Sequence, residues 1–328
     1  MKKIFKTIFG ISTLFFSLSF FSMANALDIV FAEDRPDLRT LDPRITQSRH
    51  EEMLIVNIFD QLIAADSEGN HYPGLAKSWE VSGDGLEYTF NLRNDVTFHD
   101  GTKFNAAAVK ATFDSIVDPE TGSQGAVDIL GPYKETVVVD DYTAKVVFER
   151  RYGSALTAFT ETELSIVSPT ALSELGNEGF GMAPVGTGPF MFKNWEANKK
   201  VELVRNPDYN WAPEYMDGSG PSQVANLTYR LIKDTSTRVA ALEAGEIDIA
   251  ELVPPLDMNR FDGSGELSTI AGTVSGLPYA AFLNTTVGVF QDINVRKAFF
   301  HSLDRVKMTS DLFFGYAEAA FGPISSST

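Results

Sequence analysis

The sequence predicts an α/β fold with an additional β-rich subdomain, because two different patterns occupy different parts of the chain. Alternating apolar and polar residues around short polar turns, which are typical of β-hairpins, dominate residues 61–184. From Ala225 onward a strand, a short helix and a second strand follow closely, which indicates a βαβ unit and therefore a parallel pair of strands.

Local patterns in the first half of the chain predict each element in turn. Residues 27–31 are predicted as a strand and residues 51–59 as a helix. Alternation from Leu86 to Leu92 predicts a half-buried strand that pairs with residues 79–81 across the turn at Ser82-Gly83-Asp84-Gly85.

A capped helix and two further hairpins follow. Asn105 is placed to cap a helix beginning at residues 106–108, and Asp118-Pro119 is expected to end it. The hairpin strands predicted after it are residues 137–139, 144–148, 190–192 and 201–203.

The second half reads as alternating strands and helices. Asp234 or Ser236 is expected to cap the helix of the βαβ unit, which joins strands at residues 227–231 and 247–249. A further strand is predicted at residues 279–283, followed by two helices capped by Asp292 and Asp304.

The first 26 residues have the features of a secretory signal peptide. Lys2, Lys3 and Lys6 precede an uncharged apolar stretch, and Ala24-Asn25-Ala26 predicts cleavage after Ala26. A retained membrane anchor is the alternative, but the apolar centre is short for a bilayer span. The sequence contains no cysteine, so neither a disulfide nor a lipid-modified cysteine is available, and we expect a freely diffusing periplasmic protein.

The chain is strongly acidic, with 27 Lys and Arg against 44 Asp and Glu and a net charge of -17. The predicted signal peptide holds 3 of the basic residues and none of the acidic ones, so the remaining chain carries 24 minus 44, or -20. This charge argues against nucleic acid and anionic membranes as partners. A solvated acidic surface that keeps the protein soluble and a preference for cationic ligands both remain open.

Six sequence blocks occur in the order that is typical of one family. They are Leu41-Asp42-Pro43, the stretch from Tyr72 to Asp114, Gly186-Thr187-Gly188-Pro189-Phe190, Arg205-Asn206-Pro207-Asp208-Tyr209, Ala244-Gly245-Glu246-Ile247-Asp248, and Val295-Arg296-Lys297-Ala298-Phe299 with Leu303-Asp304-Arg305. In these blocks the chain resembles the peptide/nickel class of solute-binding proteins of ABC importers, extracellular solute-binding protein family 5.

This resemblance implies a two-lobed type II periplasmic binding protein fold with an extra β-rich subdomain. The expected organisation is a signal peptide at 1–26, a discontinuous main lobe at 27–60 and 185–272, a hairpin-rich subdomain at 61–184, and the start of a second lobe at 273–328. Because family members continue well beyond such a point, the second lobe is expected to be incomplete and the chain to be C-terminally truncated, although a natural short form is the alternative.

The resemblance also implies that the protein captures peptides by hinge closure and delivers them to an ABC importer permease in the inner membrane. It places Gln47, Ser48 and Arg49, together with Ser123 and Gln124, in segments that line the cleft of oligopeptide-binding relatives. Simple exposed loops are the alternative interpretation of both segments. Residues 163–169 lack the arginine that the nickel branch carries there, which favours peptides over nickel complexes.

The sequence contains no recognisable catalytic motif, so we expect a monomeric, non-enzymatic binder with no cofactor, no metal and no catalytic residue. The four histidines are far apart in the chain, His99 is interpreted as a surface turn residue, and Glu161 and Glu163 with nearby Glu149 are interpreted as a solvated edge rather than an acid/base pair.

Gly186-x-Gly188 lacks the third glycine of a dinucleotide site and is interpreted as a position that demands an unusual φ. The alternatives for function are a binder of nickel chelates, glutathione or oligosaccharides, a periplasmic chaperone or sensor, and an exported hydrolase.

Overall fold

The computed structural model describes residues 27–34, 38–272 and 278–324, and the predicted signal peptide with its cleavage site lies outside them. The strands are β1 (Leu27–Glu33), β2 (Ile63–Ala65), β3 (His71–Pro73), β4 (Ala76–Val81), β5 (Glu87–Leu92), β6 (Tyr133–Asp140), β7 (Thr143–Phe148), β8 (Phe190–Glu196), β9 (Lys200–Arg205), β10 (Val224–Leu231) and β11 (Ile249–Ala250). The helices are α1 (Arg49–Ile58), α2 (Ala106–Val117), α3 (Gly125–Leu130), α4 (Ala155–Ala158), α5 (Pro169–Met182), α6 (Thr235–Glu243), α7 (Pro255–Ser264), α8 (Ile293–His301) and α9 (Arg305–Phe313).

A five-stranded mixed sheet has the order β11-β1-β10-β9-β8. β1 pairs in parallel with both β10 and β11, whereas β10, β9 and β8 pair antiparallel. The predicted βαβ unit is therefore correct in direction, but its two strands are not neighbours because β1 lies between them. A small apolar cluster explains this order, since Ala241 of α6 and Ile247 pack on Ala32 of β1 and so hold the crossover over that strand.

A separate four-stranded antiparallel sheet has the order β4-β5-β7-β6 and confirms two of the predicted hairpins, whereas the third is formed by β8 and β9 in the five-stranded sheet. Phe90 of β5, Phe113 of α2 and Phe148 of β7 are buried around the ring of Phe159. The predicted cap is also present, because the Asn105 side chain accepts a hydrogen bond from the amide of Ala108 at 3.1 Å.

The helix α1 provides the core beneath the five-stranded sheet. Leu54, Ile55 and Ile58 are fully buried and share one apolar cluster with Val201 and Leu203 of β9. Burying an aliphatic side chain of this size contributes about 2 kcal/mol each, so this face of α1 holds it firmly on the sheet.

The two glycines of the Gly186-Thr187-Gly188 block are required by close packing, and the expectation of an unusual φ was wrong. Neither has a positive φ. A Cβ on Gly186 would lie 2.2 Å from the Ile58 carbonyl oxygen, and one on Gly188 would lie 2.6 Å from the Ile58 carbonyl carbon. The backbone of this loop passes directly against the C-terminal end of α1, and only glycine leaves room for it.

His99 lies in the predicted turn but packs into the same junction, so the expectation that its side chain is on the surface was wrong. Its amide donates to the Gly186 carbonyl at 2.9 Å, and its Nε2 contacts the Gly188 carbonyl at 3.0 Å. Burial lowers the pKa of the imidazole to about 4, because desolvation disfavours the protonated ring.

Residues 278–324 contain the two predicted helices α8 and α9, with Asp292 and Asp304 as their caps. The predicted strand at residues 279–283 is absent, and the side chains of Tyr279 and Phe282 are 103% and 90% exposed. Among the described residues no strand lies beside this segment, so its backbone has no ladder to join.

We expect Gly188→Ala to lower the free energy of unfolding by roughly 1–3 kcal/mol, because the added methyl group must displace the end of α1. Urea denaturation followed by circular dichroism measures the change. Gly83→Ala is the matched control, since a Cβ there meets nothing within 4 Å and the φ is ordinary. Equal stability of the two variants would contradict the close-packing role of Gly188.

We expect His99 to make the fold sensitive to acid. The unfolded chain binds a proton near pH 6.5 and the folded chain only near pH 4, so stability falls as the pH decreases through this interval. Between pH 7 and pH 4 the wild type should lose up to about 3 kcal/mol more than His99→Gln, whose amide can still donate to Gly188.

Denaturation at a series of pH values measures this difference. His71→Gln is the matched control, because it removes a histidine that does not contact this loop. Identical pH profiles for the wild type and His99→Gln would show that the imidazole does not carry the effect.

Candidate functional site

The carboxyl ends of the three parallel strands form one edge of the five-stranded sheet. The amide of Glu251, just after β11, donates to the Ala32 carbonyl at 3.0 Å, and the amide of Ile232, just after β10, donates to the Glu33 carbonyl at 2.9 Å. In open α/β sheets solutes bind beyond this edge, so this edge is the candidate location of a binding site.

A buried arginine fixes the backbone at this edge. Arg238 of α6 is 1% exposed and its guanidinium donates to the carbonyls of Ile232, Glu251 and Leu252 at 2.7, 2.8 and 3.2 Å. These bonds tie the segments after β10 and β11 to one side chain. The edge is therefore rigid where residues 251 and 252 leave the sheet.

The loop between β1 and α1 is held by Glu51 in the first turn of the helix. Its carboxylate is buried and accepts hydrogen bonds from the Arg39 amide at 2.7 Å and from the Thr46 hydroxyl at 2.6 Å. A second buried pair, Arg44 with Asp42 at 2.6 Å, anchors the middle of the loop. Buried charges that are fully hydrogen-bonded in this way specify one conformation.

The five predicted binding residues fall on two segments that the structure brings into contact. The Gln47 side chain donates to the Gln124 side-chain oxygen at 2.8 Å, although the two residues are 77 positions apart. Ser48 is the N-cap residue of α1 without a side-chain capping bond, and Arg49 is its exposed first residue. The Ser123 hydroxyl oxygen is buried and has no hydrogen-bond partner within the described part of the chain. The role of these residues in binding stays a prediction.

Three carboxylates, Glu52 of α1 with Glu161 and Glu163 after α4, interact electrostatically with one another. The short helical turn at residues 162–164 packs against both α1 and α3. Burial raises the pKa of Glu52, Glu161 and Glu163, and the negative charges of the neighbouring carboxylates raise it further. The sequence indicated Glu161 and Glu163, but the third member is Glu52 of α1 rather than Glu149.

Sequence reasoning missed a second polar group at the sheet edge. Asp34, His50 and Glu251 bring one oxygen or nitrogen atom each to within 4.8 Å of one another. These residues follow β1, open α1 and follow β11, so they come from three distant segments. No spacing in the sequence could have identified them, and only the order of the parallel strands brings them together.

An open depression lies elsewhere, over the outer face of the five-stranded sheet. It encloses about 560 Å³ and is lined by Lys200, Arg230 and Glu246 among others. Lys200 already pairs with Glu196 and Glu202 at 3.3 and 3.0 Å. Because its charges are neutralised within the fold, this depression is a weaker candidate than the carboxyl edge.

No helix within residues 27–34, 38–272 and 278–324 is both long enough and apolar enough to cross a membrane.

Comparison with known proteins gives a consistent result. The profile of the "Bacterial extracellular solute-binding proteins, family 5 Middle" matches residues 70–328. The glutathione-binding protein GsiB of Shigella flexneri is 29% identical over 302 residues, which cover 92% of this chain and 57% of GsiB.

Solved structures show the same relationship. The periplasmic binding protein DppA of Helicobacter pylori, in complex with the peptide STSA, superposes with a TM-score of 0.75 at 27% identity and covers 91% of this chain and 60% of its own. NikZ of Campylobacter jejuni, in complex with Ni(L-His), gives a TM-score of 0.73 at 25% identity and covers 90% and 57%.

The fold is therefore that of a type II periplasmic binding protein, and the chain spans somewhat less than two thirds of the length of these relatives. Since the family profile extends over most of the sequence, the chain belongs to the bacterial extracellular solute-binding proteins of family 5.

Proposed function

We propose that this chain is the substrate-binding component of an ABC importer and that it captures peptides at the carboxyl edge of the five-stranded sheet. It would act in the periplasm after cleavage behind Ala26, as a monomer and without a catalytic step. The delivery partner would be a permease in the inner membrane. The observation that carries this proposal is the contact between Gln47 and Gln124, which joins two loops beside the sheet edge.

These two amides retain hydrogen-bonding capacity that the fold does not use. A primary amide has two donor hydrogens and two acceptor lone pairs, and their mutual bond occupies one donor and one acceptor. The neighbouring Ser123 hydroxyl adds a buried polar group without a partner among the described residues. A peptide backbone presents alternating N–H and C=O groups, which suit such a mixed set of donors and acceptors.

The relatives support peptides as the class of solute. DppA of H. pylori was solved with a peptide, and GsiB is a glutathione-binding protein, glutathione being a tripeptide. In this type of cleft, water molecules can bridge between the protein and varied side chains, so one site accepts many sequences.

The carboxylates of Glu52, Glu161 and Glu163 support a preference for positive charge. Glu52 lies on α1, and the turn that carries Glu163 packs against α1 and α3. Burial together with mutual repulsion raises the pKa values of the three carboxylates. A cationic group of a bound peptide would relieve this repulsion. This observation favours ligand selection over general solubility as the role of at least part of the acidic surface.

We expect isothermal titration calorimetry of the full chain with a mixture of di- to pentapeptides to show saturable binding. Gln124→Ala should weaken it roughly tenfold, because one hydrogen bond from the site and the position of Gln47 are lost. Gln223→Ala is the matched control, since Gln223 is an exposed glutamine at the opposite, amino end of β10. The absence of both heat and thermal shift with every peptide would overturn the proposal.

We also expect lysine-containing peptides to bind more tightly than otherwise identical glutamate-containing peptides, with a difference that shrinks as salt is added. Glu163→Gln should reduce this difference, whereas the control Glu68→Gln, in the exposed turn between β2 and β3, should leave it unchanged. Competition of labelled peptides at two ionic strengths provides the measurement. An equal reduction in both variants would indicate a general field of the acidic surface instead of a local group.

A further inference from the structure

We infer that Asp34, His50 and Glu251 form a binding site for a divalent first-row transition metal at the carboxyl edge of the sheet. The three residues contribute an imidazole nitrogen and two carboxylate oxygens, all within 4.8 Å of one another. This inference does not depend on peptide binding, because the ligands belong to the sheet edge itself. It departs from the expectation, drawn from the sequence, that the protein has no metal site.

The distances suit a small metal ion. Bond lengths of about 2.0–2.2 Å to nitrogen and oxygen place two ligand atoms of one metal about 3.3–3.7 Å apart. His50 Nδ1 and Glu251 Oε2 are already 3.7 Å apart. The third ligand atom, on the Asp34 carboxylate, lies within 4.8 Å of both.

Two of these atoms are polar, buried and unsatisfied. His50 Nδ1 and Glu251 Oε2 have no hydrogen-bond partner within the described residues, since their separation of 3.7 Å is too long for a hydrogen bond. Buried polar atoms without partners are rare, because each one costs about 1–3 kcal/mol. A cation between them satisfies both atoms at once.

The ligands are held in place before any metal binds. Glu251 donates its amide to Ala32 and accepts at its carbonyl from Arg238, so its backbone is fixed on both sides. His50 lies in the first turn of α1, next to the buried Glu51. A site built on strand ends and a packed helix loses little freedom when it closes around an ion.

The local charges favour a cation. Asp34 and Glu251 each bring a carboxylate to the site, whereas the N-terminus of α1 carries only about half a positive charge. The nearby Arg238 guanidinium donates to main-chain carbonyls and not to these side chains. The two carboxylates are therefore the ligands that would supply negative charge to a bound cation.

The donor set selects the class of ion. An imidazole with carboxylates suits zinc, nickel and cobalt, whereas magnesium and calcium prefer oxygen ligands alone. Three protein ligands leave at least one position of a tetrahedral shell for water or for a solute donor. A solute with a free amine or carboxylate could complete it, which would connect this site to the cleft.

The test is a titration of the full chain, first freed of metal with EDTA, with ZnCl₂ by calorimetry and with CoCl₂ by visible absorption. We expect one equivalent to bind and to give cobalt d–d bands, while MgCl₂ gives no heat. His50→Gln and Glu251→Gln should each weaken binding at least tenfold. Glu251→Asp, which keeps the charge, should bind with an intermediate affinity.

His71→Gln is the matched control, because it removes one histidine from β3 and should bind as tightly as the wild type. Thermal melting of every variant in EDTA establishes that each is folded before its titration is compared. The absence of saturable binding in the wild type, or an affinity unchanged in both His50→Gln and Glu251→Gln, would overturn the site. Peptide binding is measured in a separate titration of the metal-free chain, so that the metal-site proposal and the peptide-binding proposal can fail independently.

Discussion

The buried carboxylate of Asp60 is the interaction on which the arrangement of this chain depends. It follows directly after α1 and accepts hydrogen bonds from the Thr187 hydroxyl, the Trp211 indole and the Tyr209 hydroxyl at 2.8, 2.9 and 3.2 Å. Burial raises its pKa, and the three hydrogen bonds act in the opposite direction. Burying an ionised carboxylate without hydrogen-bond partners is costly. The loops that supply the three donors to Asp60 must therefore meet at the end of α1.

This junction gives a structural role to two of the family-like sequence blocks, although neither lies at the carboxyl edge. Thr187 belongs to the Gly-Thr-Gly loop that passes against Ile58, and Tyr209 and Trp211 follow the Arg-Asn-Pro block. Tyr209 and Trp211 pack in the core of the four-stranded sheet, whereas α1 packs in the core of the five-stranded one. Asp60 therefore joins the two apolar cores through a polar contact.

Helix α1 carries this constraint to the candidate site. Its ten residues span about 15 Å, from Asp60 beyond one end to Ser48 before the other. At the far end Glu51 holds the preceding loop, and that loop places Gln47 against Gln124. One helix is therefore anchored by Asp60 beyond its C-terminal end and positions the Gln47 loop at its N-terminal end, so the scaffold motifs and the candidate site share this element.

The sequence predicted those strands and helix caps that are determined by residues close together in the chain. The strand at residues 87–92 and the caps Asn105 and Asp234 were predictable because alternation and capping are local patterns. The insertion of β1 between β10 and β11, the burial of His99 and the meeting of His50 with Glu251 were not, because each requires segments about 90 to 220 residues apart. The predicted strand at residues 279–283 is absent for the same reason. A strand needs a neighbouring strand to pair with, and the alternation of apolar and polar residues does not show whether one is present.

The acidity of the chain shows that composition alone also leaves the function undetermined. A net charge of -17 is compatible with a merely soluble surface, and many carboxylates are indeed neutralised by nearby lysines, as Glu202 is by Lys200. The group of Glu52, Glu161 and Glu163 differs because its members repel one another and are partly buried. Repulsion of this kind reduces the stability of the free protein, and a bound cationic group is what would remove it. Mutual repulsion among partly buried carboxylates, rather than the total charge, is therefore the feature that supports the proposed preference for a cationic ligand.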